Sequence, residues 1–244
     1  FFLNKEYVNL DFKLKFIREN KFNLVFTHHH EVKKYEKLTS IKFFQIPFAF
    51  SEDIIKENDY KKEIDICFTG ILQNQNKYSF QTDIRLKIMN KFFYSFFDIP
   101  IIKKSRYKHL NIYWNAIPRY KIGKIIKRLF FKSLNNEKYI EILKKSKISI
   151  NSLSPIQLIS PRYFESIACK CYVLCEQSEL YENFFKDAEL FQFKSDLSNF
   201  DKKLSEIFSK KSSNDLIKHN KFIENNSWKS RVVLVLSKIK KFND

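Results

Sequence analysis

Short apolar runs alternate along most of the chain with stretches whose apolar residues recur every three or four positions. Runs of the first kind predict buried strands, and stretches of the second kind predict amphipathic helices. The predicted strands are 22–27, 41–50, 64–70, 110–114, 147–151 and 171–175. The predicted helices are 83–97, 136–146, one that begins near 161, 200–210 and 227–241. Strands that alternate with helices in this way predict an α/β fold with a parallel sheet.

A polar stretch at 51–63 interrupts this pattern, and a new strand begins directly after it at Ile64. We therefore expect two domains with 51–63 as the linker between them. The first part, 1–50, is short for a complete domain, and the chain starts without Met inside an apolar run. We expect that the front of a longer protein is missing. The basic stretch 119–132 shows no period that assigns it to a helix or a strand.

Composition narrows the class of protein. With 44% hydrophobic residues the chain has enough apolar side chains for a core. No apolar run approaches the roughly 18 residues that a membrane helix needs. The N-terminal residues lack the basic leader and small-residue cleavage site of a secretory signal. These features predict a soluble, globular, cytoplasmic protein.

The net charge of +18 suits an anionic partner such as nucleic acid, an acidic lipid surface or a phosphorylated ligand. Seven of the 45 basic residues are Arg, and the Lys residues are spread along the whole chain. Because base readout relies on Arg more than on scattered Lys, the charge favours a generic solvated lysine surface.

Glycine and cysteine exclude several kinds of site. Gly70 and Gly123 are the two glycines, so a P-loop, a G-x-G-x-x-G turn and a G-x-S-x-G elbow are all impossible. A bound phosphate would need a helix N-terminus or side-chain cations. Cys169, Cys171 and Cys175 lack the paired spacing of a zinc site. Strand alternation places Cys171 and Cys175 on one face, as reduced core residues.

A helix begins within the sequence SPRYFES. Ser160 is a good N-cap and Pro161 suits the first helical position. The helix follows the strand 147–151, so it starts at the edge of the sheet where ligands of open α/β folds bind. Arg162 and Glu165 share one face of it. The pair could bind a diphosphate and a ribose, or form a surface ion pair, and the spacing fits both.

Three segments resemble one protein family: SPRYFESIACKCYVLCEQSELYENFFKD, the preceding KKSKISIN and the later NNSWKSRVVLVLSKI. They are similar to the C-terminal nucleotide-sugar domain of group 1 GT-B glycosyltransferases, and in particular to the spore-coat glycosyltransferase-like branch. The shared pattern is an R-x-F-E helix, a small-residue turn, a strand and a terminal W-x-x-R helix. The similarity covers 137–240, and 65–85 resembles the first strand, loop and helix of that domain.

The resemblance implies a GT-B fold, with a Rossmann-like parallel-sheet donor domain at 64–226 and a truncated second Rossmann-like domain. The latter, 1–50, would be the C-terminal part of the acceptor-side domain, and 227–244 would be a C-terminal helix. The implied function is transfer of a sugar from a nucleotide diphosphate donor to a cell-surface glycan or lipid-linked acceptor, in polysaccharide biosynthesis. Because no D-x-D motif is present, the resemblance implies catalysis without a metal or another cofactor.

The resemblance also implies roles for individual residues. Glu165 would bind the ribose, and Arg162 would bind the diphosphate and stabilise its charge during transfer. Gly70 would let the first loop approach the phosphates. Asn151 would line the donor pocket, and Arg85 is expected among the donor-binding residues.

Two positions depart from the family pattern. Gln157 stands where the E-x7-E pattern has an acid, so the contact with the donor sugar or the catalytic mode differs. Lys170 stands where a Gly usually follows the helix. A residue with a Cβ is strained in the left-handed conformation of a helix C-terminus, so the helix ends differently or Lys170 carries a cost.

The three adjacent histidines, His28 to His30, allow three interpretations. A metal site would need a carboxylate or Cys from elsewhere in the chain. Within the resemblance the loop faces the cleft, so that His28 could contact the acceptor or take its proton. A polar loop without a chemical role is the third interpretation.

A basic, non-catalytic binding module for nucleic acid or an anionic membrane surface is the alternative to a transferase. The scattered Lys residues and the R-x-F-E context favour the transferase, with a nucleotide-sugar and an acceptor as its partners and no nucleic acid. A peripheral contact with the inner face of the membrane stays open.

Overall fold

The computed structural model describes residues 2–3, 9–56, 60–72, 84–96, 99–117, 125–126, 129, 134–154, 158–210 and 216–243. The strands are β1 (Phe2–Leu3), β2 (Leu24–Thr27), β3 (Lys42–Gln45), β4 (Ile64–Ile71), β5 (Phe93–Phe96), β6 (Ile99–Ser105), β7 (Ile112–Ile117), β8 (Ser146–Asn151), β9 (Tyr172–Glu176) and β10 (Leu190–Phe193). The α-helices are α1 (Leu10–Glu19), α2 (Val32–Thr39), α3 (Ile84–Phe92), α4 (Asn136–Lys145), α5 (Pro161–Ala168), α6 (Phe200–Ser209), α7 (Leu216–Asn226) and α8 (Trp228–Asn243).

The main sheet has five parallel strands in the order β10-β9-β8-β4-β7. Its central strands are buried on both faces because helices cover both sides, as is usual for parallel sheets. Ile66 and Phe68 of β4 face one layer of helices, and Cys67 faces the other. The predicted α/β fold with a parallel sheet is therefore confirmed.

The two helical layers form separate apolar cores. On one face, α3 and α6 bury Ile88, Phe92 and Phe200 against the sheet. On the other face, α4, α5 and α7 bury residues such as Phe164 and Phe222. The second layer carries α5, so it brings the Arg162 and Glu165 pair to the carboxyl edge of the sheet.

The N-terminal part forms a second parallel sheet with the order β1-β2-β3. The segment after β3 leads to the main domain, and Phe50 forms a parallel bridge to Ser227 just before α8. The Phe50 carbonyl also accepts a 3.0 Å hydrogen bond from the Trp228 amide. In this way α8 is attached to the segment that joins the two sheets.

Several predicted boundaries differ from the structure. The helix predicted for 83–97 ends at Phe92, and the next four residues form β5, which pairs antiparallel with β6. This segment is rich in aromatic residues, which favour strands, and Phe93 is buried edge-on against Trp114. The strand predicted for 41–50 ends at Gln45, because the following Pro47 cannot donate to a ladder.

Other elements went unpredicted, or fall outside the part of the chain that is described. α1, α2 and α7 have no counterpart among the predicted helices. The basic stretch 119–132 lies outside the described residues except for 125–126 and 129, and Gln157 lies outside them as well. Among the helices that are described, none has both the length and the apolar character needed to span a membrane.

Candidate functional site

The first turn of α5 carries the first residues of the candidate site. Ser160 is extended at the cap position and Pro161 is the first helical residue, as predicted. Ser160 therefore occupies the predicted N-cap position, but its side chain makes no capping hydrogen bond. Pro161 has no amide hydrogen, and the Tyr163 amide donates a 3.2 Å hydrogen bond to the Ser160 carbonyl.

Arg162 lies at the carboxyl end of β4. Its Nη1 donates a hydrogen bond to the Thr69 carbonyl. A Cβ built on the neighbouring Gly70 would lie 2.5 Å from the same nitrogen, which is too close for any real side chain. Gly70 therefore leaves the space that the guanidinium occupies, with a backbone φ of 155°.

Glu165 lies one turn further along α5 and is partly buried. Its Oε2 accepts a 2.8 Å hydrogen bond from the Tyr139 hydroxyl of α4. Burial raises the pKa of Glu165, and the Tyr139 hydrogen bond and the charge of Arg162 act in the opposite direction. Arg162 and Glu165 thus have different partners, which does not match the surface ion pair that their spacing also allowed.

The end of α5 resolves the question of Lys170. The Cys171 amide donates to the Ser166 carbonyl and the Lys170 amide to the Ile167 carbonyl, both at 2.9 Å. This is the Schellman arrangement, which places its C′ residue in the left-handed region. Lys170 has a φ of 57°, so it occupies that position and carries the strain that a glycine would avoid.

Asn151 ends β8 and is buried beneath α5. Its Nδ2 lies 3.3 Å from the hydroxyls of Ser149 and Ser166. Ser166 also donates to Ser149 at 2.8 Å. These contacts attach α5 to the sheet, and a role of Asn151 in lining the donor pocket remains a prediction.

Arg85, in the first turn of α3, reaches the same edge of the sheet. Its Nε donates a 2.6 Å hydrogen bond to the Ser152 hydroxyl, directly after β8, and the side chain is buried. Burial raises the pKa of Glu176, at the end of β9, while a hydrogen bond from Ser195 and the charge of Arg85 oppose this shift. The edge therefore combines cations, carboxylates and hydroxyls.

A pocket of about 370 Å³ opens beside these residues. Its polar lining includes the carboxyl side chains Glu176 and Glu179 and the hydroxyls of Ser154 and Ser178. Such groups can exchange several hydrogen bonds with a polyhydroxylated ligand, because carboxylates accept and hydroxyls both donate and accept.

His28 directly follows β2, and it packs against the segment that joins the two sheets. Its Nδ1 is 2.7 Å from the Ile46 carbonyl, and its ring stacks on Phe48 with 3.8 Å between centroids. Because a carbonyl only accepts, the neutral ring carries its proton on Nδ1, and Nε2 is the basic nitrogen. A water-sized cavity of about 10 Å³ separates His28 from Phe164 of α5 and Leu180.

The cysteines are buried thiols. All four cysteines are buried and free, and burial raises the pKa of Cys169 to about 12, so it remains a thiol at neutral pH. Within the described ranges, no group of three or more His, Cys, Asp or Glu side chains is arranged to hold a metal ion.

Tyr139 and Arg231 were not among the predicted site residues, and both contact residues of α5. Tyr139 shares the buried face of α4 with Ile142 and Leu143, so its spacing matches an ordinary core residue. Arg231 belongs to the W-x-x-R pattern, and it donates to carbonyls of Pro47, Phe48 and Asn225. Its side chain also lies over the Phe164 ring, 5.8 Å from the centroid. The arginine of that pattern joins α8 to the segment between the sheets.

Comparisons with known proteins place this arrangement in a family. The sequence model of the glycosyl transferase-like family matches residues 101–233, which is more than half of the chain. A chain from the crystal structure of a GtfA/B complex is similar over 96% of this chain, with a TM-score of 0.51 and 9% sequence identity. The match covers 48% of that structure, so the chain spans about half its length.

No curated protein sequence matches the chain significantly. The structural similarity shows the fold, which is a Rossmann-like parallel sheet of the GT-B type, and the family match covers the segment that contains α5 and the W-x-x-R helix. We conclude that the chain belongs to the glycosyl transferase-like family.

Proposed function

We propose that the chain binds a nucleotide-sugar donor at the edge of the main sheet and transfers its sugar to an acceptor. The observation that carries this proposal is the placement of Arg162 and Glu165 on α5. Each side chain is partly buried at the carboxyl edge and is held by a partner from another element, Thr69 for Arg162 and Tyr139 for Glu165.

In the proposed complex the diphosphate lies beside Arg162 and the first turn of α5. The guanidinium and the positive end of the helix dipole both favour negative charge. The ionised carboxylate of Glu165 accepts hydrogen bonds from the two ribose hydroxyls. The pocket beside Glu176 offers room and polar partners for the sugar.

During transfer the bond between the sugar carbon and the diphosphate oxygen breaks, and a bond from the acceptor oxygen to that carbon forms. The nucleoside diphosphate leaves with the bonding electrons, and its growing charge is stabilised by Arg162 rather than by a metal. Nε2 of His28 receives the proton of the acceptor hydroxyl. The acceptor we propose is a glycan or a lipid-linked sugar. The spore-coat branch and a peripheral membrane contact remain predictions.

Thermal unfolding with a panel of nucleoside diphosphates tests the proposal. A ligand at 100 times its Kd adds about 2.7 kcal/mol to the unfolding free energy, so one diphosphate should raise the melting temperature clearly. Glu165→Ala should abolish most of this rise without unfolding the protein. Lys240→Ala, an exposed change at the far end of α8, serves as the control. A rise of equal size in Glu165→Ala would exclude the proposed donor site.

The alternative, a basic module that binds nucleic acid, makes a different prediction. The affinity of such a module for nucleic acid would fall steeply as the salt concentration rises, because binding would release counterions from the phosphate backbone. Binding to single- and double-stranded DNA and RNA in low and high salt would detect it. We expect weak binding that does not compete with nucleoside diphosphates.

A further inference from the structure

Tyr139 connects α4 to the donor site on α5. Its hydroxyl donates to Glu165 Oε2 at 2.8 Å, while its ring packs against the core on that face of the sheet. The core contact fixes the Tyr139 ring, and the hydrogen bond from its hydroxyl restricts the Glu165 side chain on α5.

A glutamate has three rotatable side-chain bonds, and it loses their freedom when it binds a ligand. A partner that orders the carboxylate in the free protein reduces that loss on binding. The ionised carboxylate has about four lone-pair positions, and Tyr139 uses one of them. Acceptor capacity therefore remains for the two hydroxyls of a ribose.

We propose that Tyr139 is a positioning residue of the donor site, whose hydroxyl orients the Glu165 carboxylate to accept hydrogen bonds from the ribose of a nucleotide. That the ligand of Glu165 is a ribose rests on the proposed function. The hydrogen bond between Tyr139 and Glu165 is independent of that proposal.

Among the described residues, Tyr139, Arg162 and Cys169 interact with the Glu165 carboxyl, and Cys67 interacts with Tyr139. Tyr139 faces it from α4 and Arg162 from the first turn of α5, and both lower the pKa of Glu165 against the larger effect of burial. Cys169, at the end of α5, and Cys67, on β4 near Tyr139, are buried thiols whose own pKa values are raised. Removing the Tyr139 hydroxyl should therefore move the pKa of Glu165 further upward.

The test compares the wild type with Tyr139→Phe, and Tyr172→Phe is the matched control. Tyr172 packs edge-on against Phe191 and lies away from α4. The uridine, guanosine, adenosine, cytidine and thymidine diphosphates are titrated by calorimetry between about pH 5 and pH 8. For the diphosphate that binds the wild type, Tyr139→Phe should weaken binding roughly three- to tenfold at neutral pH. Its loss of affinity on the acid side should also begin at a higher pH.

The control should match the wild type in both respects. Unchanged affinity and an unchanged pH profile in Tyr139→Phe would overturn the inference and leave the donor site intact. If the wild type binds none of the five diphosphates, the proposed function fails, and the ribose role of Tyr139 fails with it.

A second measurement separates the contact from the ligand. Carbon NMR of the ligand-free protein, with labelled glutamate carboxyls and Glu165→Gln for assignment, follows the titration of Glu165 directly. We expect a higher pKa of Glu165 in Tyr139→Phe than in the wild type and in Tyr172→Phe. The same pKa in all three proteins would overturn the contact itself, whether or not a nucleotide binds.

Discussion

The guanidinium of Arg162 lies over the backbone of Gly70, where a Cβ would come within 2.5 Å of Nη1. The two residues are 92 positions apart in the chain, so the end of β4 and the start of α5 depend on each other. Gly70 was expected to leave space for a phosphate, and in the described structure it leaves space for the arginine.

Gly70→Ala should therefore act like the loss of Arg162. The added Cβ displaces the guanidinium from the Thr69 carbonyl, because the end of a flexible side chain moves more easily than the backbone. We expect nucleoside diphosphate binding to weaken by about 1.5 kcal/mol or more, as for Arg162→Ala, and the unfolding free energy to fall as well, because alanine is strained at the Gly70 φ of 155°. Calorimetric titration of both single variants and the double variant measures this effect. Because the residues act together, the double variant should bind no more weakly than the weaker single variant, and additive losses would contradict the explanation.

Glu165→Gln should separate stability from binding. Burial raises the pKa of Glu165, so its ionised form is disfavoured in the folded protein, and this penalty is fully present above the folded pKa. Gln carries no charge and can still accept from Tyr139. We expect a higher unfolding free energy than the wild type at pH 7, a smaller difference as the pH falls through the folded pKa of Glu165, and weaker nucleotide binding. Denaturant unfolding at several pH values measures the first two effects, and a difference that grows at low pH would contradict the sign.

Lys170→Gly should stabilise the protein. Lys170 is in the left-handed conformation at the end of α5, which glycine adopts without a Cβ penalty. Allowing for the greater freedom of glycine in the unfolded chain, we expect a gain of about 0.5–1 kcal/mol in unfolding free energy. Lys170→Ala is the matched control, since it removes the charge and keeps the Cβ. Equal gains in both variants would show that charge, and not backbone strain, limits stability here.

Arg231→Ala should be strongly destabilising. Its guanidinium is buried, and it donates to the Asn225 carbonyl of α7 at 2.7 Å and to the Pro47 carbonyl of the joining segment at 3.1 Å. Burial lowers the pKa of Arg231 to about 10, so the side chain is still charged at neutral pH. Its loss leaves these acceptors unsatisfied, for which we expect about 2–4 kcal/mol. The exposed change Lys240→Ala should have little effect in the same unfolding experiment, and similar values for both would argue against a joining role.

His28→Ala should lower turnover and leave donor binding unchanged. If Nε2 takes the acceptor proton, kcat should fall by about 10²–10⁴-fold, the usual contribution of a general base. His109→Ala is the control, because His109 is exposed before β7 at the opposite, amino edge of the sheet. A fall in donor affinity together with kcat would indicate that His28 supports the fold of the joining segment instead.

The amino-acid sequence by itself determined the parallel α/β fold, the start of α5 and the two possibilities at its end, a different helix end or a strained Lys170. Each of these depends on neighbours within a few positions: the apolar runs of the strands, Pro161 in the first turn, and a Cβ at Lys170. The local pattern did not predict the conformation of 93–96, where residues with a helix-like spacing form the strand β5. There the pairing with β6 and the contact with Trp114 decided the conformation.

Only the tertiary structure decided which groups the site residues contact. Tyr139 looks like a core residue of α4 until the fold places it against Glu165, and no spacing in the chain links Gly70 to Arg162. Such contacts join elements far apart in the sequence, and their geometry depends on how helices pack on the sheet. Periodicity shows which face of an element is buried, whereas packing determines what that face meets.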